Sequence, residues 1–260
     1  MEEARKLQLL KGLVDTLCAE RDVAPPQTCD AVELWSAFRA LVNTRPPWSV
    51  GETFLAEQDE LLQGLIAEAV VHAVDEAKAS ADPRMRLWRG DITTFAADAI
   101  VNAANSQMLG CWTPGHQCID NAIHTFAGVQ LRIECARIMG EQGHEEPTGQ
   151  AKVTDAYNLP SNRIIHTVGP IANGIPTVRH RVQLASCYRA CLDAAAAEGL
   201  CSVAFCCIST GVFGFPQGEA ARIAVRAVKT WLNEHDSVMT VVFNVFGETD
   251  ERLYRELLGL

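Results

Sequence analysis

The chain has 260 residues, 48% hydrophobic and 21% charged, which is enough apolar material for a packed core and rules out wholesale disorder. A formal net charge of −10 with no basic face excludes a general nucleic-acid binder. An anionic ligand would have to be met locally, by backbone N–H groups at loops and helix starts.

No run of about 18 apolar residues occurs, so no membrane-spanning helix is expected. The opening MEEARKLQLLKGLV reads as an amphipathic helix and lacks the order of a signal peptide. Ten scattered cysteines then fit a reducing, cytoplasmic setting better than a disulfide framework, and most read as small buried apolar residues. Helical spacing recurs in Leu7, Leu10, Val14 and Leu17, in Leu34, Phe38, Leu41 and Val42, and in Leu61, Leu65, Ile66 and Ala69. Prolines at 25–26 and 46–47 mark the turns between three helices. Residues 1–80 are thus expected to be helical throughout, a cap or small appended domain serving packing and solubility. The junction falls at Ala79-Ser80-Ala81-Asp82-Pro83, with a second unit over 81–260.

Beyond it the texture changes. LWRGDITTF, AIVNAAN, AKVTDAYNL, RIIHTVG, SVAFCCIS and VMTVVFNVF read as strands, with helical stretches at 119–140, 180–199 and 217–235 between them. The alternation predicts an α/β sheet covered by helices. In such sheets ligands bind outside the carboxyl ends of strands, which points to the loops after AIVNAAN and SVAFCCIS.

Four segments could carry chemistry. Cys111-Trp112-Thr113-Pro114-Gly115-His116-Gln117-Cys118 places Cys, His and Cys within eight residues, and a Pro-Gly turn could fold them together as zinc ligands. Three ligands leave a position for water or substrate. The same spacing also suits two unrelated buried cysteines, or a closed site completed by Cys135 or His124. Asp120, directly after, is either a helix N-cap or a group that orients or deprotonates water, or holds a hydroxyl. His124 follows one turn later, as a packing residue or a functional one. Ser209-Thr210-Gly211-Val212-Phe213-Gly214-Phe215-Pro216 is either a phosphate-cradling loop or an ordinary strand-to-helix turn, and it is neither a dinucleotide fingerprint nor a P-loop. Asp91 and Ile92 in WRGDIT, with Asn102 and Asn105 in NAAN, could read a nucleoside or serve as turn and cap residues.

Together these segments resemble the macrodomain family, specifically its zinc-dependent microbial branch of ADP-ribosyl hydrolases. The resemblance rests on WRGDIT, DAIVNAANSQMLGCWTPGHQCIDNAIHTFAGVQLR, PTGQAKVTDAYNLPSNRIIHTVGP, CISTGVFGFPQGEAARIAV and VVFNVFGETDERLY, and covers about 84–257. The extension with FRALVNTRPP also resembles that branch. It implies a three-layer α/β/α macrodomain with a mixed central sheet and a helical N-terminal extension. Asp91 would contact an adenine amino group, Ile92 the adenine region, and Phe246 would flank the ring. Ser209, Thr210, Gly211, Val212, Phe213, Gly214 and Phe215 would cradle the diphosphate through backbone N–H groups. Asn102 and Asn105 would line the distal ribose, and Asp120 keeps the place of the catalytic aspartate of metal-free relatives. Where those relatives carry a glycine run, this chain carries Cys111, His116 and Cys118, which the resemblance makes ligands of Zn2+. The implied activity is removal of mono-ADP-ribose from modified protein side chains, O-linked to acidic residues first. The rivals are a non-catalytic ADP-ribose reader and an O-acetyl-ADP-ribose deacetylase. The implied partners are mono-ADP-ribosylated proteins, with a sirtuin-type transferase and lipoylated carrier proteins associated with the branch.

Overall fold

The computed structural model describes residues 1–260. It opens with α1 (Glu3–Ala19), α2 (Ala31–Asn43) and α3 (Glu52–Glu68). Their apolar stripes meet in one cluster, where Leu10, Leu13, Val14 and Leu17 pack with Leu34, Phe38, Leu61 and Leu62. Asp30 starts α2, its Oδ1 accepting the N–H groups of Val32 and Glu33 at 2.7 and 3.0 Å, a cap of about 1 kcal/mol. The helical reading of 1–80 runs too far. The helices end at Glu68, before the β-branched pair Val70-Val71, and two-residue strands follow: β1 (His72–Ala73) and β2 (Lys78–Ala79). Segments this short leave no period in a sequence.

The remaining strands are β3 (Met85–Arg89), β4 (Phe95–Ala96), β5 (Ala99–Ala104), β6 (Ala151–Asp155), β7 (Arg163–Val168), β8 (Ser202–Phe205) and β9 (Thr240–Val245). Strand β1 pairs only with β4; the main sheet runs β2-β3-β9-β8-β5-β7-β6. Its inner pairings are parallel, while β2 and β6 join the two edges antiparallel. The sheet is therefore mixed, as expected. The helices after β5 are α4 (Ile119–Ala127), α5 (Val129–Gln142), α6 (Val178–Ala197), α7 (Gln217–Glu234) and α8 (Glu248–Leu258). None of the helices is long and apolar enough to cross a membrane.

Side chains alternate along a strand, which assigns the layers. Val101, Phe205 and Phe243 stand side by side in register, so they share a face. On that face Phe205 meets Tyr188 of α6 with ring centroids 5.0 Å apart, and Phe243 meets Tyr254 of α8 at 5.1 Å. The next residue of β5, Asn102, points the other way and reaches Asp120 on α4 at 2.8 Å. Helices thus cover both faces, which explains why β5 reads almost continuously apolar. The stretch 119–140, expected as one helix, is broken at Gly128, whose φ is +100°. The carboxamide of Gln58 on α3 enters the gap and accepts the Val129 N–H at 3.0 Å, and a Cβ at 128 would sit 2.6 Å from that carboxamide. Val129 and Phe126 join the helical cluster to the α4–α5 layer.

Candidate active site

Two loops leave the carboxyl edge of the sheet side by side. The first links β5 to α4. Asn105 shapes its start, accepting the Gln107 N–H at 3.0 Å and donating to the Gly110 carbonyl at 2.9 Å. Gly110 passes so close to His124 that a Cβ would lie 2.7 Å from the ring, and its φ is +78°. The chain then delivers Cys111, His116 and Cys118, whose ligating atoms all lie within 4.8 Å of one another. Cys111 Sγ stands 3.6 Å from His116 Nδ1, and Cys118 Sγ caps α4 by accepting the Asn121 N–H at 3.4 Å. Burial pushes the Cys118 thiol up to about 12, with the charges of Cys111 and Asp120 adding to it. As thiolates the two sulfurs would repel each other and Asp120 unless a cation sat among them, so donor types and spacing fit a divalent zinc ion. His124 and Cys135 do not complete this group. They gather instead with His166 in a separate, fully buried cluster.

Asp120 occupies the first turn of α4, where the helix dipole favours a carboxylate, and is only 5% exposed. Its Oδ1 accepts from Asn102 Nδ2 at 2.8 Å and its Oδ2 from Asn105 Nδ2 at 3.5 Å. Burial raises its pKa to about 6, against the opposing effects of the Asn102 hydrogen bond and the Arg132 charge. Asn102 is in turn fixed from behind. Its Nδ2 donates to His166 Nδ1 at 3.1 Å, which leaves the imidazole Nε2–H to donate to Thr154 Oγ1 at 3.0 Å. Burial holds His166 neutral, with its pKa lowered to about 3. With the amide committed, Asn102 Oδ1 is a fully buried acceptor that no protein donor reaches. His124 lies 3.7 Å from Asp120 Oδ1, and burial, then His166 and Arg132, keep it neutral.

The second loop links β8 to α7. It is zipped to residues 172–174: Phe213 O accepts from Ala172 N at 2.8 Å and Asn173 N at 3.1 Å, and Gly214 O from Gly174 N at 2.7 Å. Inside the loop the N–H groups of Thr210, Gly214 and Phe215 bond to Cys207, Gly211 and Ser209 carbonyls. This corrects the expectation that the whole run 209–215 offers its amides. Those of Ser209, Gly211, Val212 and Phe213 donate to no protein acceptor, which leaves them free for an anion. Phe215 is instead a core residue, 2% exposed. Ser209 is held at φ +66° with a buried, unpartnered hydroxyl.

At the far end of the edge, Asp91 caps the turn Ile92–Thr94, its Oδ1 accepting from Thr93 N and Oγ1 at 2.9 and 2.7 Å. The second carboxylate oxygen stays free. Ile92 is 1% exposed and packs into the core, so the expected contact with an adenine is not presented at the surface. Phe246, just after β9, is 79% exposed and presents a bare aromatic face.

The Macro domain family pattern matches residues 101–224. A protein of Treponema medium named Protein-ADP-ribose hydrolase is 54% identical over 225 residues, 85% of this chain and 86% of that one. The chain belongs to the macrodomain family. Among solved structures, the Trypanosoma brucei macrodomain in complex with ADP-ribose superposes with a TM-score of 0.66 at 30% identity, covering 85% of this chain and 95% of that one. The Oceanobacillus iheyensis macrodomain with ADP gives 0.61 at 39% identity, covering 67% and 90%. The matched stretch 101–224 holds both loops of this macrodomain.

The sequence reading missed the residues that hold the first loop in place. Arg39 and Asn43 of α2 bond to the backbone between Cys111 and Cys118. Arg132 of α5 stacks its guanidinium over Trp112 at 4.3 Å and donates to the carbonyls of Leu109, Val42 and Arg45. His166 and Thr154, which orient Asn102, were also unread. One signal was present: Arg39 and Asn43 lie four apart, in the same turn as the core residues Phe38 and Val42.

Proposed function

We propose that this macrodomain hydrolyses the bond between ADP-ribose and modified protein side chains, with a zinc ion held by Cys111, His116 and Cys118. The observation that carries the reading is the convergence of these three ligands within 4.8 Å, directly before the helix that aims Asp120 at Asn102. A pure ADP-ribose reader would have no use for a three-ligand cation site beside a buried carboxylate. The kinship with proteins named as ADP-ribose hydrolases supports the same reading.

The bound zinc would supply Lewis acidity toward a ribose hydroxyl, the departing oxygen or a water molecule. Asp120, with a proton affinity near neutrality, is suited to orient and deprotonate the attacking water. Asn102 Oδ1 accepts from a hydroxyl of the distal ribose, its direction set by His166 and Thr154. The free amides of Gly211, Val212 and Phe213 take the diphosphate. Asp91 accepts from the adenine amino group and Phe246 flanks the ring. A carboxylate leaving group needs no proton to depart, and Asp120 is the one carboxylate bonded to Asn102, so esters of acidic side chains suit this site best.

The test is metal analysis of the isolated protein combined with turnover on mono-ADP-ribosylated proteins that differ only in linkage. Stoichiometric zinc with release of free ADP-ribose from the ester-linked substrate is expected. Binding without release, or turnover in a protein that holds no metal, overturns the reading.

A further inference from the structure

Helix α2 lies against α4, and part of that contact is ordinary apolar packing: Trp35 meets Phe126 with ring centroids 5.7 Å apart. One turn along, the contact changes character. Arg39 Nη2 donates to the carbonyl of His116 at 3.0 Å, and Nε and Nη2 both donate to Asn121 Oδ1, at 3.3 and 3.0 Å. Asn43 Oδ1 accepts the Gly115 N–H at 3.0 Å while its amide donates to Thr125 Oγ1 at 2.9 Å. Asn121, held by Arg39, donates its own amide to the Thr113 carbonyl at 3.1 Å. Three successive anchors therefore seize the backbone at Thr113, Gly115 and His116, the stretch between the two cysteines, and two of them originate in α2. That stretch has little to hold itself: Thr113, Pro114 and Gly115 are exposed, and its internal backbone bond runs from His116 N to Thr113 O.

We infer that Arg39 and Asn43 are positioning residues for the Cys111–His116–Cys118 centre, which makes the N-terminal helices a working part of the site. The inference rests on the zinc reading above. Fixing a loose backbone costs conformational entropy at every residue, and without α2 that cost would fall on metal binding itself. With α2 docked, the carbonyl of the imidazole-bearing residue and the amide of its neighbour are already placed. A helix serving only as a cap would present apolar side chains here. It would not aim a guanidinium and a buried carboxamide, 1% exposed at Asn43, at loop backbone.

The experiment uses the full chain with Arg39→Met, Arg39→Lys and Asn43→Ala. Three quantities are read in parallel: zinc retention against a chromophoric chelator, ADP-ribose affinity by calorimetry, and kcat with KM on a mono-ADP-ribosylated protein. Arg39→Met and Asn43→Ala are expected to lose zinc about 10- to 100-fold more readily, with kcat falling in step. ADP-ribose affinity and KM should stay at the parent's values. Arg39→Lys should recover part of the retention, since an ammonium can still reach one of the two oxygens. If Asn43→Ala fails to fold, the half-buried Arg39 decides alone. Parent-like retention and kcat in Arg39→Met overturn the positioning role and leave the zinc reading standing, as does a loss shared equally by ADP-ribose affinity. A parent protein that binds no zinc overturns both.

Discussion

The two loops at the carboxyl edge of this sheet are built on opposite plans. The β5–α4 loop turns three side chains inward, and its backbone is pinned by side chains from α2, α4 and α5. The β8–α7 loop contributes backbone, and it is pinned by other backbone, through the zip to residues 172–174. A loop whose side chains are committed to a ligand has to be held by its main chain. A loop whose amides are the ligand site has to be held by the carbonyls that remain. The division predicts that variants in the first loop separate chemistry from binding, and that variants in the second do the reverse.

The largest effect is expected at the first loop. Cys118→Ala or His116→Ala should remove zinc and reduce hydrolysis to background, while calorimetry shows ADP-ribose still bound. Near-normal turnover in either would erase the contrast between the loops. Next, Asp120→Ala should lower kcat by about 10²- to 10⁴-fold with affinity kept, as for loss of a general base; an unchanged rate removes Asp120 from the mechanism. His166 extends the comparison to pH. Its pKa falls from 6.5 to about 3 on folding, because burial disfavours the charged ring. The stability tied to the neutral ring is complete above pH 6.5 and is lost as pH falls toward 3. At about 1.4 kcal/mol per unit this is at most about 5 kcal/mol. Urea midpoints at pH 7.5 and pH 4 should therefore draw together in His166→Gln relative to the parent, and an identical acid loss in both would exclude this source. The smallest effect belongs to the second loop. Val212→Pro deletes one free amide and should weaken ADP-ribose binding by about 1.5–3 kcal/mol with zinc content intact. Loss of zinc in that variant would show the loops to be coupled.

The sequence carried the longer strands of the main sheet, the Cys/His run and the position of Asp120, because each of these is local. A six-residue apolar strand or a Cys-x4-His-x-Cys run declares itself within its own length. What it did not carry lies across distance. Arg39 and Asn43 stand 77 and 72 positions from their loop partners, and a side chain bonded to a remote carbonyl leaves no period behind. Gly128 looked like a tolerated glycine inside one long helix; only the Gln58 carboxamide, supplied by α3, turns it into a break. α8 went unread because its buried positions, Tyr254 and Leu258, are few among charged residues. The amides of Ser209, Gly211, Val212 and Phe213 could not be told from those of Thr210, Gly214 and Phe215, since all seven residues of the run look equally suited to a turn.

The helical cluster of α1–α3 is separate from the sheet's core, and its apolar contact with α4 and α5 is confined to Phe126, Val129 and Ile133. Regions joined by few apolar contacts open at lower free energy than the core they rest on. On warming, the bundle should therefore swing away first, and the catalyst should fall silent at a temperature where near-ultraviolet dichroism still reports an ordered sheet. Cooling from that point should bring activity back without any refolding of the sheet.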